Sequence, residues 1–248
     1  MRFAAIADIH GNCLALEAVL ADILAAGIAY DHIVNLGDCF SGPLEAGRCG
    51  DLLLSLELVT VRGNHDRYLI EQNRSAMHES DAEAYDQLSP RHLTWLKTLP
   101  ITAVWRDTAF LCHATPGKDD LYWLESVSQE GLVHLKPQAE IEALAKGVEQ
   151  ELILCAHSHL PRAVRLADGR LIVNPGSVGC PAYDDDVPLY HKVETGTPMA
   201  SYALVEKQED QWTVTFRLVP YHHLDMARLA AGRGRKDWAS GLATGWLS

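Results

Sequence analysis

Hydrophobic and polar positions alternate in blocks along this chain: a short apolar run, an abrupt polar turn, an amphipathic stretch, and the cycle again. Residues 3–7 carry no charge and predict a strand buried on both faces, ending at Asp8-Ile9-His10-Gly11-Asn12. Asn12 caps a predicted helix over 13–26, with Leu16, Val19, Leu20, Ile23 and Leu24 on its buried face and Gly27 as its stop. A second strand over 32–36 runs into Gly37-Asp38, and a helix over 44–56 follows. The third strand, 58–61, ends in Arg62-Gly63-Asn64-His65-Asp66. Three such units predict a parallel α/β layer with its site at the carboxyl ends of the strands.

From 67 to 100 the pattern turns polar and helical, with Ser89 and Pro90 as a helix start. This segment reads as a small helical insertion covering the site, or as plain connecting helices. Strand patterns return at 101–105 and 108–112, the second ending at His113, and again at 152–156, ending in His157-Ser158-His159. A helix over 137–147 separates them. Asp168-Gly169 marks a hairpin between 163–166 and 170–173, and a last hairpin joins 201–206 to 212–219. The fold class predicted is α/β: two stacked mixed β-sheets flanked by helices, a four-layer α/β/β/α sandwich with a small helical insertion. One domain is expected over 1–248, with 67–100 as a helical cap and 222–248 as a C-terminal helical tail. The stretch 184–198 has no interpretable pattern, Asp184-Asp185-Asp186 reads as a solvated loop, and Arg228, Arg233, Arg235 and Lys236 read as a solvated helix face.

Composition narrows the function. A net charge of −12 argues against non-specific partners such as nucleic acid or anionic lipid, and leaves room for a small phosphorylated substrate at a local cation site. No apolar run approaches the ~20 residues of a membrane helix, and nothing resembles a signal peptide. The six cysteines form no C-x-x-C pair and read as free thiols in a reducing compartment, so a cytoplasmic location is expected.

The polar turns themselves carry the chemistry. Asp8 and His10 sit two apart in an extended segment and leave it in one direction. Asp38, then Asn64 with His65, then His113, then His157 and His159 occupy the later strand ends. One histidine after a strand is ordinarily a hydrogen-bonded structural residue. Five such turns in succession, supplying imidazole and hard oxygen without sulfur, fit a transition metal better than calcium or a structural zinc cluster.

In this order the turns resemble the calcineurin-like metallophosphoesterase superfamily, whose pattern is D-x-H, G-D, G-N-H-[DE], a lone H and G-H-x-H. This chain has Asp8-Ile9-His10, Gly37-Asp38, Gly63-Asn64-His65-Asp66, His113 and His157-Ser158-His159. The turn at 174–179 and the strand Ser201-Tyr202-Ala203-Leu204 look like the bacterial phosphodiesterase-type branch. Ala114 and Ala156 stand where glycine is common, and Cys39-Phe40-Ser41-Gly42-Pro43 lacks the V-D-R-G of the Ser/Thr protein phosphatase branch. The resemblance implies a binuclear centre of two divalent transition-metal ions (Mn, Fe, Zn, Co or Ni). Asp8, His10, Asp38 and His159 would hold one; Asp38, Asn64, His113 and His157 would hold the other. It implies a metal-bridging hydroxide as nucleophile, with His65 protonating the leaving alkoxide or stabilising charge on the phosphoryl oxygens. Arg62 and His92 are candidate substrate contacts. Asn12 is another, beside its reading as a cap.

The expected function is hydrolysis of a small phosphate ester, either a phosphodiester or a phosphomonoester. A dinucleoside polyphosphate hydrolase is an alternative, since Tyr68, Tyr85 and Trp95 offer rings to stack a base. A non-enzymatic metal-binding scaffold of the same fold is a second.

Overall fold

The computed structural model describes residues 1–248. From the N-terminus the chain forms β1 (Arg2–Ile6), α1 (Cys13–Ala25), β2 (Ile33–Asn35), α2 (Ala46–Ser55) and β3 (Val59–Thr60). Three helices follow, α3 (Asn64–Glu71), α4 (Glu79–Tyr85) and α5 (Pro90–Thr98). Then come β4 (Thr102–Trp105), β5 (Ala109–Cys112), β6 (Glu125–Val127), β7 (Val133–Leu135), α6 (Gln138–Leu144) and β8 (Leu152–Leu154). The last part holds β9 (Arg162–Arg165), β10 (Leu171–Asn174), β11 (Ala182–Asp185), β12 (His191–Glu194), β13 (Ala200–Gln208) and β14 (Gln211–Val219). Helices α7 (His223–Gly232) and α8 (Lys236–Thr244) close the chain.

Two mixed five-stranded sheets stack face to face, ordered β14-β13-β1-β2-β3 and β4-β5-β8-β10-β9. Side chains along β1 alternate between two interiors, as the period of two requires. Phe3, Ala5 and Ala7 pack between the sheets against residues such as Leu111, Leu154 and Val173, while Ala4 and Ile6 pack outward against Leu16 and Val19 of α1. On the far side Ile153 and Ile172 meet Ile141 of α6. The mixed α/β class with helices on both outer faces is therefore as expected. Both helix starts also hold: Asn12 accepts from the Ala15 amide at 3.2 Å, and Ser89 accepts from the His92 amide at 3.4 Å.

Three features depart from the expected pattern. Asn64, His65 and Asp66 form the first turn of α3 rather than a loop before it. Residues 182–194 pair as the hairpin β11–β12, so Asp184 and Asp185 lie within a strand. Arg235, expected on a solvated helix face, is only 7% exposed, because Ser80, Glu83 and Asp237 surround its guanidinium at 2.7–3.0 Å. No helix is long and apolar enough to cross a membrane.

Candidate metal centre

Two turns are stitched together before any side chain is considered. The amides of Asp8 and His10 donate to the carbonyls of Gly37 and Asp38, each at 3.0 Å. The approach is close enough to dictate glycine at two motif positions. A Cβ on Gly37, whose φ is +97°, would lie 2.4 Å from the Gly63 nitrogen, and one on Gly63 would lie 2.1 Å from Asp38 Oδ1. Asp66 fastens the same corner, its carboxylate accepting from the amides of Asp38, Cys39 and Gly63 at 2.8, 2.9 and 3.1 Å. Asn174 does the equivalent for the last turn, donating to Ala156 O and Ser158 Oγ at 3.0 Å.

These turns hold their residues in an unfavoured conformation. Of the eight non-glycine residues with positive φ, five are Asp8, His10, Asp38, His157 and His159; the other three are Arg106, Asp107 and Glu209. Left-handed backbone in residues with a Cβ persists where surrounding contacts enforce it, and it clusters at functional sites.

The side chains converge into two groups whose donor atoms lie within 4.8 Å of one another: Asp8, His10 and His159, and Asp38, His113 and His157. His10, His113 and His159 each place Nδ1 at 2.8 Å from a backbone carbonyl, of Ser41, Leu36 and Cys180 respectively. That hydrogen bond fixes the proton on Nδ1 of His10 and His159 and leaves their Nε2 lone pairs facing the cluster, whereas His113 Nε2 pairs with Asp38 Oδ2 at 3.1 Å. His10 Nε2 and His159 Nε2 stand only 3.1 Å apart, two acceptors facing each other. The Asn64 side-chain amide lies among the same groups, with His113 Nε2 and His157 Nδ1 at 3.1 Å and Asp38 Oδ2 at 3.3 Å. Both carboxylate oxygens of Asp8 are buried without a hydrogen-bond partner. Native structures seldom leave such groups unsatisfied, and a cation among them satisfies all of them at once. The residues present fit a metal ion.

Electrostatics agree. Burial pushes the Asp8 carboxyl well above its usual range; His113 pulls it down and the neighbouring Asp38 pushes it up further. Burial also lowers His10 to about 4 and His157 to about 3, keeping both imidazoles neutral and able to donate a lone pair. For Asp38 the cost of burial is outweighed by His113 and His65, and its carboxyl falls well below the usual range.

His65 is placed differently. Its amide donates to Asp38 Oδ1 at 3.0 Å, and its Nδ1 pairs with Asp81 Oδ1 at 2.8 Å. Burial disfavours the imidazolium, but Asp38 and Asp81 outweigh it and raise His65 to about 9. Asp81 comes from α4 and is 1% exposed. Sequence reading missed it, since Glu79-Ser80-Asp81 looks like any acidic first turn of a helix.

A cavity of about 320 Å³ opens above the cluster, floored by His10, Asp38, Asn64, His157 and His159, with His65 at its side. The hairpin β11–β12 contributes Tyr183 and Asp185 to its wall, and the C-terminal tail contributes Arg235 and Trp238. Asp184-Asp185-Asp186, expected as a plain solvated loop, thus lines the site.

The three candidate substrate contacts lie elsewhere. Asn12 is wholly buried, and its amide donates to Gly179 O and Tyr221 Oη at 3.0 Å while its oxygen caps α1. Arg62 turns toward Glu71, 3.8 Å away, and does not line the cavity. His92 is 3% exposed, packs over Gly50 and reaches Asp51 at 3.1 Å, tying α5 to α2. None of the three lines the cavity: Asn12 and His92 are hydrogen-bonded elsewhere, and Arg62 points toward Glu71 with its Nε buried and unpartnered.

Comparison with known proteins agrees with this geometry. The calcineurin-like phosphoesterase superfamily domain matches residues 1–198. The uncharacterized protein MJ0912 of Methanocaldococcus jannaschii is 27% identical over 200 residues, covering 72% of this chain and 76% of its own. Among solved structures, the metallophosphoesterase of Sphaerobacter thermophilus superposes with a TM-score of 0.75 at 26% identity, covering 99% of both chains. The hypothetical protein PH1004 of Pyrococcus horikoshii OT3 superposes at 0.74 and 19% identity, over 100% of this chain and 99% of that one.

Proposed function

This chain belongs to the calcineurin-like phosphoesterase superfamily, and from that premise we propose that it hydrolyses small phosphate esters with the help of two divalent transition-metal ions. Asp8, His10, Asp38 and His159 would hold one ion, and Asp38, Asn64, His113 and His157 the other. The observation that carries this reading is the buried Asp8 carboxylate with both oxygens unpartnered, set among imidazoles whose free lone pairs face it. Imidazole with carboxylate and amide oxygen suits Mn, Fe, Co, Ni or Zn. When bound, such ions polarise phosphoryl oxygens and lower the pKa of water toward neutrality.

The remaining chemistry falls to His65. With Nδ1 engaged by Asp81, its other ring nitrogen is the one available to the cavity it lines. A proton that Asp81 helps to hold on this ring can pass to the oxygen of the departing alcohol. A scaffold that only bound metal would have no use for a buried Asp81–His65 pair at the cavity wall. Against a dinucleoside polyphosphate stands the lining of Asp184, Asp185 and Asp186, which would face substrate charges of the same sign.

The test is His65→Ala in the Mn-loaded protein. Bound metal, measured by elemental analysis, should be unchanged, while turnover of bis(p-nitrophenyl) phosphate should fall roughly 10²–10⁴-fold. Full turnover in the variant overturns the role of His65. A chelator that leaves parent turnover intact overturns the metal-dependent reading.

A further inference from the structure

A second cleft, of about 410 Å³, meets the first at the candidate metal centre. Asn64, His157 and Asp185 line both. The two differ in character. The first cleft has a carboxylate wall, and Arg235, its one cationic side chain apart from histidine, is already engaged by Ser80, Glu83 and Asp237. The second carries Tyr68, Leu121, Tyr122, Val127, Val187 and Pro188, and its carboxylates other than the shared Asp185 each have a cation: Glu125 has Arg162 at 3.0 Å and Asp120 has Arg67 at 3.6 Å. Its lysine, Lys136, donates to the Tyr122 carbonyl rather than standing free. The partition between them is the hairpin β11–β12, with Asp185 lining both clefts and Val187 and Pro188 lining only the second.

We propose that the substrate is an asymmetric phosphodiester whose apolar arm lies in the second cleft and whose other arm, uncharged or cationic, lies in the first. The inference rests on the phosphoesterase reading above and narrows it. A monoester has one organic substituent and would leave one cleft unfilled, and apolar side chains beside a phosphate gain nothing from standing wet. A diester has two substituents diverging from one phosphorus, as the two clefts diverge from Asn64 and His157. The carboxylates of the first cleft repel an anionic arm, which excludes a second phosphate there. In the reaction the oxygen of one water forms a new bond to phosphorus and one ester P–O bond breaks. The leaving oxygen takes up a proton, giving one monoester and one alcohol.

The experiment uses the full-length Mn-loaded protein and the ratio of kcat/KM for bis(p-nitrophenyl) phosphate to that for p-nitrophenyl phosphate. The expected ratio is at least tenfold in favour of the diester. Leu121→Arg and Val127→Trp, which polarise or fill the second cleft, should each lower the ratio at least tenfold. Leu121 is 39% exposed, so that variant carries little risk to folding. A binding arm removes the dependence on turnover. Calorimetry compares diphenylphosphinate, which carries two rings and no ester bond, with phenylphosphonate, which carries one. Tighter binding of the two-ring compound, lost in Leu121→Arg, supports the proposal. A ratio at or below one, or a ratio that neither variant moves, overturns it and leaves the phosphoesterase reading standing. If neither ester is cleaved, the phosphoesterase reading fails instead, and equal binding of the two compounds then overturns the two-cleft assignment.

Discussion

His65 owes its charge to two carboxylates, Asp38 of the motif and Asp81, which lies far from any motif. The Asp81 carboxylate at 2.8 Å fixes the imidazole ring and favours its protonated form. Asp81→Asn keeps the shape and removes that charge, so kcat should fall about 10–100-fold with metal content unchanged. The alkaline limb of the kcat–pH profile should also move toward lower pH. A pure loss of thermal stability with kcat intact would assign Asp81 a structural role only. The candidate metal ligands were legible in the sequence because each is an imidazole or oxygen donor following an apolar run. Asp81 was not, because an acidic residue in the first turn of a helix has a sufficient local explanation. Arg235 failed for the opposite reason: periodicity places an arginine on a solvated face unless its partners, here Ser80, Glu83 and Asp237, can be foreseen.

Between elements, the final hairpin is fastened to the first helix by a small polar cluster. Asp22 of α1 accepts from Arg217 of β14 at 2.7 Å and from the Tyr202 hydroxyl of β13 at 2.6 Å. The Arg217 hydrogen bond leads in holding Asp22 below the usual carboxylate range, against partial burial and with help from Tyr202. A lowered folded value means the contribution is present above the unfolded pKa of about 4 and is lost as pH falls through the folded one. Asp22→Asn should therefore be less stable at pH 7 by about 0.2–1 kcal/mol, given the partly exposed pair. Denaturant titrations of variant and parent should converge toward acid pH. The long hairpin itself was legible from its alternating pattern. The hairpin β11–β12 was not, since Asp184-Asp185-Asp186 and Val187-Pro188 lack the apolar alternation by which a strand is recognised.

Taken whole, the molecule places its least satisfied polar groups where two stacked sheets end together. Folding without metal buries the Asp8 carboxylate with no partner, so metal should bind the folded chain far better than the unfolded one. At a free metal concentration about 100 times Kd, linkage adds roughly 2.7 kcal/mol, which for a chain of this length raises Tm by about 5–10 °C. A thermal scan of the metal-free protein against added Mn²⁺ or Zn²⁺ checks this. An unchanged Tm across saturating metal would contradict the site. The stacked-sheet architecture was readable from parallel units followed by hairpins. The second cleft was not, because it forms where β6, α3 and the β11–β12 hairpin meet, and no local pattern encodes their meeting.

The five left-handed residues at the centre set chemistry and foldability against each other. Glycine is the residue that such backbone prefers, and it has no donor atom. At Asp8, with φ 51°, glycine would relieve both the dihedral and an unpartnered buried charge. Metal-free Asp8→Gly should accordingly melt higher than the metal-free parent, by on the order of 1 kcal/mol in stability, while gaining far less from added metal. Drift at Asp8 therefore runs downhill toward a sturdier protein that holds metal poorly.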